Sequence, residues 1–336
     1  MPFEIESPRS RNPLQRGAAP QRGVVIGLVN NMPDTALEAT EAQFARVLSA
    51  AAGPLSVQLR LCSLPEVPRS PVGREHVSGD RYWSIEELQR DPPDALIVTG
   101  TEPVAPLLSD EPYWDRLRDL IQWADTNTTS SIWSCLAAHA AVELFDGIRR
   151  RRLQQKRCGV FAHTALPNQA LLKGVTTPVY TPHSRWNELP VDELRAAGYT
   201  VVSASVESGA DMFTKQSSSL LVFFQGHPEY EETTLLREYR RDVGRFLRGQ
   251  QAHYPTLPHG YFPPEALELL AAFETRARAA PGADLLSDFP VNEIAATLKN
   301  TWSVGAAGIY RNWLALLASR RHSESITPAK AFPSGL

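Results

Sequence analysis

Cysteine is scarce in this chain: Cys62, Cys135 and Cys158 are the three in 336 residues. An odd number without C-x-x-C spacing excludes a disulfide framework and a cysteine-based metal site, and fits free thiols in a reducing cytoplasm. Charge of one sign is missing as well. Acidic residues number 37 against 34 basic ones, a formal net charge of −3, which is not the basic footprint of a nucleic-acid binder. No apolar run approaches the ~18 residues of a membrane span. The opening MPFEIESPRSRNPLQRGAAPQRG holds no apolar signal core. Nor is there an internal repeat. Residues 1–22, polar and rich in proline and arginine, are expected to form a flexible arm. Residues 23–322 are expected to form a single domain, and 323–336 a loose tail.

What is present is a series of short apolar runs between helical patterns. Val24–Val29 (VVIGLV) reads as a buried strand. Thr35–Ala52 carries Leu37, Phe44, Val47, Leu48 and Ala51 at helical spacing, with a capping box expected at Thr35-x-x-Glu38. Leu55–Cys62 alternates, as a strand with one wetter face does. Pro65–Pro93 reads as an irregular excursion with a short helix near Ile85–Gln89. Ala95–Thr99 is a third strand, Tyr113–Ala124 a helix, Ser131–Ser134 a fourth strand and Leu136–Phe145 a helix. Tyr199–Ser205 and Ser219–Phe224 add strands. Helices are expected at Glu232–Leu247, Pro264–Ala279 and Trp302–Arg320, with a breaker-rich joint at 281–290. Alternation of this kind implies an α/β fold, a mainly parallel sheet flanked by helices. Ligands in such folds sit at the carboxyl ends of the strands. Cys135, the Gly100 loop and the Asn30–Asn31 loop all fall at that edge.

Cys135 stands between a strand and a helix in SSIWSCLAAHAAVELFDGI. A free cysteine is usually a small core hydrophobe, but this placement offers a tight turn and the backbone N–H groups of a helix N-terminus. Together these favour a thiolate and an adjacent oxyanion. The neighbours of a nucleophile on such a turn must be small, and Ala137 and Ala138 are. The backbone N–H of Leu136 supplies one oxyanion donor, and the Gly100–Thr101–Glu102 loop, with Thr101, can supply a second. Among eight histidines, His227 is the best placed as base. It follows the strand SSLLVFF, and Glu229 lies two residues on, on the same side of an extended segment stiffened by Pro228. Glu229 can then orient the imidazole; the bland alternative is a solvated turn. His139 reads as a packing residue, and His183 is ambiguous. His76, His253, His259 and His322 are assigned no role.

These residues occur within eight segments that match a known family: GLVNNMPDTALEATEAQFARVLSA, ALIVTG with DEPYW, CLAAHAAVELFDGI, KRCGV, TPHSRW, GHPEY, REYRRDV and YRNWL. In order and spacing, from about residue 23 to about 320, the sequence resembles the homoserine O-succinyltransferase family, the homoserine O-acyltransferases of methionine biosynthesis. The resemblance implies a class I glutamine amidotransferase-like, flavodoxin-like fold. It implies a Cys135 that carries the acyl group as a thioester, His227 as general base and Glu229 behind it. It further implies Lys156, Ser184 and Arg241 as substrate-binding residues. Lys156 and Arg241 also sit among other basic residues, where solvated side chains are the plain reading.

The sequence departs from the family in three places. A lysine soon after the first-loop Met-Pro is replaced by Asp34 and Thr35 after Met32-Pro33. Leu136 and His139 stand where the family has an aromatic residue and a glutamine. Val104 falls at the position that sorts acyl donors, glutamate accompanying acetyl use and glycine succinyl use. Valine lacks a carboxylate that would repel succinate, which leans the reading to succinyl. The expected partners are therefore small molecules, succinyl- or acetyl-coenzyme A and L-homoserine, with no nucleic acid, membrane, metal or further cofactor. A homodimer is a family-level expectation. The alternatives are acetyl transfer, a serine-type acceptor, a glutaminase-like hydrolase (disfavoured by Trp133 and Ala137 where Gly-x-Cys-x-Gly is usual) and a catalytically silent binding protein.

Overall fold

The computed structural model describes residues 3–8 and 23–326, with side chains described as far as residue 320. In chain order the strands are β1 (Phe3–Ile5), β2 (Val24–Val29), β3 (Val57–Cys62), β4 (Tyr82–Trp83), β5 (Ala95–Val98), β6 (Ser130–Ser134), β7 (Arg151–Ala165), β8 (Val179–Glu188), β9 (Thr200–Val201), β10 (Ser203–Ser205), β11 (Gly209–Ala210), β12 (Met212–Gln216) and β13 (Leu220–Phe224). The helices are α1 (Leu37–Ala52), α2 (Pro71–Ser78), α3 (Ile85–Arg90), α4 (Trp114–Asn127), α5 (Leu136–Asp146), α6 (Val191–Ala196), α7 (Thr234–Leu247), α8 (Pro264–Ala279), α9 (Val291–Ala295) and α10 (Ser303–Ile326).

Strands β3, β2, β5, β6 and β13 lie side by side and parallel. Antiparallel β12 and β9 extend the sheet beyond β13. The central strands are short continuous apolar runs because both faces are covered. Every residue of β2, β5 and β6 is buried. On one face Leu117, Leu120 and Ile121 of α4 and the alanines of α5 pack on Leu96, Val98, Trp133 and Phe223. On the other, Phe44 and Leu48 of α1 and Tyr310, Trp313 and Leu314 of α10 pack on Ile26, Ile97 and Val222. Full burial of side chains this size contributes about 1.5–3 kcal/mol each. A third apolar cluster joins α7 and α8 through Tyr239, Val243, Leu270, Phe273 and Phe289.

Three differences from the sequence reading have identifiable causes. The first concerns the arm: within residues 1–22, Phe3–Ile5 is a strand pairing parallel with β3. It is anchored by Glu6, whose carboxylate lies 2.7 Å from Arg60 Nε. Arg60, also 2.9 Å from Asp91 and stacked over Trp83 at 4.5 Å, is thereby buried to 2% exposure. The wetter face expected for β3 is consequently covered. Residues 1–2 and 9–22 of the arm lie outside the described residues, as does the tail beyond Ile326; α10 runs through the first residues expected as tail. The second concerns Thr35-x-x-Glu38. No capping box forms, because Asp34–Ala36 makes a 3-10 turn before α1. Asp34 instead accepts from the Ser70 amide at 2.8 Å and pairs with Arg69, and these interactions hold its carboxyl below the usual carboxylate range despite the opposing desolvation.

The third difference is the largest. Residues 151–188 hold a long hairpin, β7 with β8, that with β10 and β11 makes a separate antiparallel sheet. The expected strand Tyr199–Ser205 is split at Val202, β9 joining the main sheet and β10 the second. The start of β7, RRLQQKR, is mostly exposed and shows no apolar pattern; it pairs with β8 at Arg151, Arg152 and Arg157, with an irregularity in the register between Arg152 and Arg157. Gly159 in this strand has φ +140°, and its backbone bridges to His259. A Cβ there would sit 2.3 Å from the His259 backbone. Gly159→Ala should therefore destabilise the protein by about 2–4 kcal/mol, seen as a lowered urea midpoint in circular dichroism. An unchanged midpoint would contradict the close approach.

Candidate active site

Strand β6 ends at Ser134 and α5 begins at Leu136, leaving Cys135 alone at the turn with φ +54° and ψ −113°. A non-glycine residue held at positive φ stores on the order of 1–3 kcal/mol of strain, retained only where the surroundings over-determine it. Two contacts do so. The Cys135 amide donates to Phe224 O at 2.8 Å, continuing the β6–β13 pairing past its last residues. Gly100 lies against the start of α5, where a Cβ would come within 2.8 Å of Leu136 Cβ. The turn thus presents the sulfur, half-buried, at the carboxyl end of the sheet beside a helix N-terminus.

The loop after β13 brings His227. The Gly226 amide donates to Asp211 Oδ1 at 3.2 Å and the His227 amide to Pro182 O at 2.7 Å, so both sheets hold this loop. His227 Nδ1 lies 2.8 Å from Glu229 Oε1, and the imidazole stacks on Tyr230 with centroids 4.3 Å apart. Burial pulls the His227 pKa down. The Glu229 charge and the hydrogen bond to Cys135 outweigh it and hold the ring well above the ordinary histidine value. A protonated imidazole beside the sulfur is the partner a thiolate needs, and Glu229 fixes which nitrogen faces the cysteine.

A cleft of roughly 370 Å³ opens over this triad. Leu136 and Thr101 line it, as do Lys156, Ser184 and Arg241. The structure thus brings together every residue picked out from sequence except Val104, which is 74% exposed and outside the lining. The Gly100–Pro103 part of that loop faces the cleft, and the chain turns outward after it. Helix α7 supplies one wall. Glu238, Arg241, Asp242 and Arg245 all face the cleft, as positions i, i+3, i+4 and i+7 of one helix must. Lys156 Nζ lies 2.7 Å from Asp242 and 3.7 Å from Glu238. Arg241 Nε lies 3.1 Å from Asp242, and Glu238 also accepts from Ser184 and, at 2.7 Å, from Tyr230. Burial would raise the Asp242 pKa, but Lys156 and Arg241 hold it lowered. The sequence reading missed Glu238, Asp242 and Tyr230, although their spacing from Arg241 and His227 was there to be used.

The remaining histidines sort by burial. His139, 3.2 Å from Gln225 Oε1 and 2% exposed, is pushed down to about 3 by burial and by the charges of Arg185 and Arg150. It is a neutral packing residue at the cleft floor. His183 is fully buried, 3.3 Å from Asp211, and burial brings it to about 3 too, against the pull of Asp211. With His163 it forms the metal-like group found among the described residues, its ligand atoms within 4.8 Å of one another. Arg185 Nε, however, lies 3.2 Å from His183 Nδ1, and Thr181 and Gly226 already occupy Asp211. A guanidinium so close disfavours a second cation. The cluster instead braces the loop that carries His227.

The raised His227 pKa has a definite consequence for stability. The folded state binds this proton more tightly than the unfolded chain, so its contribution is fully present below pH ~6.5 and lost as pH rises through the folded value. Glu229→Gln removes the main raising charge. It should flatten that alkaline decline and move the His227 titration, followed by NMR of the imidazole, to lower pH. An unmoved titration would separate the two side chains electrostatically.

Residues 15–323 match the family model for homoserine O-succinyltransferase. The chain is similar to the homoserine O-succinyltransferase of Rhodopseudomonas palustris, 47% identical over 309 residues that cover 92% of each chain. It is also similar to that of Methylorubrum extorquens, 46% identical over 301 residues and 89% of each chain. Among solved structures, a glutamine amidotransferase from Thermotoga maritima is similar at a TM-score of 0.48 and 10% identity, over 88% of this chain and 99% of that one. The chain belongs to the homoserine O-succinyltransferase family.

Proposed function

We propose that this protein transfers a succinyl group from succinyl-coenzyme A to the hydroxyl of L-homoserine through a thioester on Cys135. The observation that carries this reading is the Cys135–His227–Glu229 triad at the floor of a cleft whose α7 wall holds both signs of charge. The Cys135 thiolate attacks the donor's carbonyl carbon. The coenzyme A carbon–sulfur bond breaks, and the leaving thiolate takes the proton from the His227 imidazolium. The backbone N–H groups at Leu136 and Thr101 are assigned to the oxyanion. The acceptor hydroxyl then attacks the acyl-enzyme, His227 takes its proton, and Cys135 is released as the ester forms. Exchange between thioesters costs little, and transfer from sulfur to oxygen is downhill, so the demand on the protein is to keep water from the acyl-enzyme.

The acceptor is a zwitterion, and α7 suits one. Arg241, with a planar guanidinium, is assigned its carboxylate. Glu238 and Asp242, next to Ser184 and Lys156, are assigned its ammonium group. The chemistry draws on these groups and asks for no further cofactor. No helix among the described residues is long and apolar enough to cross a membrane, and free cysteines with small-molecule substrates suit the cytoplasm.

Two measurements test this. Mixing the protein with succinyl-coenzyme A alone should add about 100 Da to the Cys135 peptide, and Cys135→Ala should abolish both adduct and turnover. A peptide without adduct, or glutamine hydrolysis in place of acyl transfer, would overturn the reading. Glu229→Gln should lower kcat roughly 10²–10⁴-fold with a smaller change in KM, measured by coenzyme A release. Undiminished turnover would remove Glu229 from the triad.

A further inference from the structure

The cations that line the cleft are not equivalent. Lys156 is held by Asp242, and Arg241 by the same carboxylate. Arg245 reaches Glu102 at 3.3 Å and Asp242 at 3.6 Å. Arg185 is buried and donates to His183, Asn187 O and Ser208 O. Arg152 is exposed and lies over Trp186 at 4.5 Å. Arg150 differs. It lines the same cleft, is half-buried, and among the described residues has no hydrogen-bond or ion-pair partner.

A guanidinium is always charged, and removing one from water without an acceptor is costly. Burial lowers the Arg150 pKa, against the opposing pull of nearby acidic side chains, Glu111 and Glu143 among them. Its surroundings are left open as well. Tyr113 OH and Glu111 Oε2 are buried without hydrogen-bond partners, while Glu111 Oε1 is taken by the Ala105 amide at 2.8 Å. The site therefore has an unspent cation within electrostatic reach of the nucleophile, beside the loop that carries Thr101. It lies on the α5–β7 connection, whereas the charges assigned to the acceptor are on α7.

We propose that Arg150 receives the terminal carboxylate of the four-carbon acyl group carried on Cys135, and so selects a dicarboxylic acyl donor. This rests on the acyl-transfer reading above and names a residue for its donor specificity, a task that exposed Val104 is poorly placed to perform. An extended succinyl group puts its carboxylate carbon roughly 4 Å from the thioester carbon, within the span of a long arginine side chain. A bidentate guanidinium–carboxylate pair fixes that end, and with it the carbonyl presented to the acceptor.

The test compares donors. In Arg150→Gln, the ratio of kcat/KM for succinyl-coenzyme A to that for acetyl-coenzyme A should fall roughly ten- to a hundredfold, with Arg150→Lys recovering part of it. The rate of succinyl adduct formation on Cys135, followed by mass spectrometry, should fall in parallel. An equal loss with both donors would overturn the proposal by placing Arg150 on the coenzyme A phosphates. A change confined to the KM for homoserine would overturn it in favour of the acceptor carboxylate. Failure of the unsubstituted protein to form either adduct would instead overturn the acyl-transfer reading, so the two failures are distinguishable.

Discussion

The parallel pairing of β6 with β13 is the constraint on which the site depends. It ends with the Cys135 amide bonded to Phe224 O, so the residue that turns into α5 and the residue that opens the His227 loop are tied one hydrogen bond apart. Sulfur and imidazole, separated by ninety-two positions in sequence (227 − 135), become neighbours because two strands finish at the same edge. Strain at Cys135 is tolerable for the same reason: Phe224 on one side and Gly100 on the other leave the turn no relaxed alternative. A sheet with helices on both faces is a stiff mount, and the Cys135 turn stands at its edge.

The cleft adds a charge pattern that belongs to neither sheet alone. The β7–β8 hairpin contributes Lys156 and Ser184, and α7 contributes Glu238, Arg241 and Asp242. These groups are interlocked by ion pairs at 2.7 and 3.1 Å. Such pairs keep side chains with many rotamers in place before a ligand arrives, which lowers the entropy lost on binding. They also keep both signs of charge available to a zwitterion, where an all-basic wall would attract any anion.

Some of this was legible in the residues. Apolar β-branched runs marked the central strands, Pro264–Ala279 marked α8 to its last residue, and the strand-to-helix turn at Cys135 stands where its residues placed it. The hairpin was not legible, because RRLQQKR carries no apolar period of its own and meets β8 only at Arg151, Arg152 and Arg157, around an irregularity in the register. Arg150 was hidden for a related reason. Inside a run of four arginines it looks solvated, and only the course of the chain between α5 and β7 brings that side chain, along with Arg152, into the cleft lining. Val104 shows the reverse case. Its place in the loop was read correctly, but its side chain is turned to solvent.

By itself the amino-acid sequence determined the five parallel strands β3, β2, β5, β6 and β13 and the helices α1, α4 and α5 that cover them, but not β4, β12 or α2, and it placed Cys135, His227 and Glu229 near strand ends. These follow from local rules of periodicity, turn chemistry and spacing. Only the tertiary structure decided that Phe3–Ile5 joins β3, that a second sheet roofs the cleft, and which charges face each other across it. Those outcomes depend on pairings between residues far apart along the chain. Their free energy resides in contacts that exist only once both partners are in place.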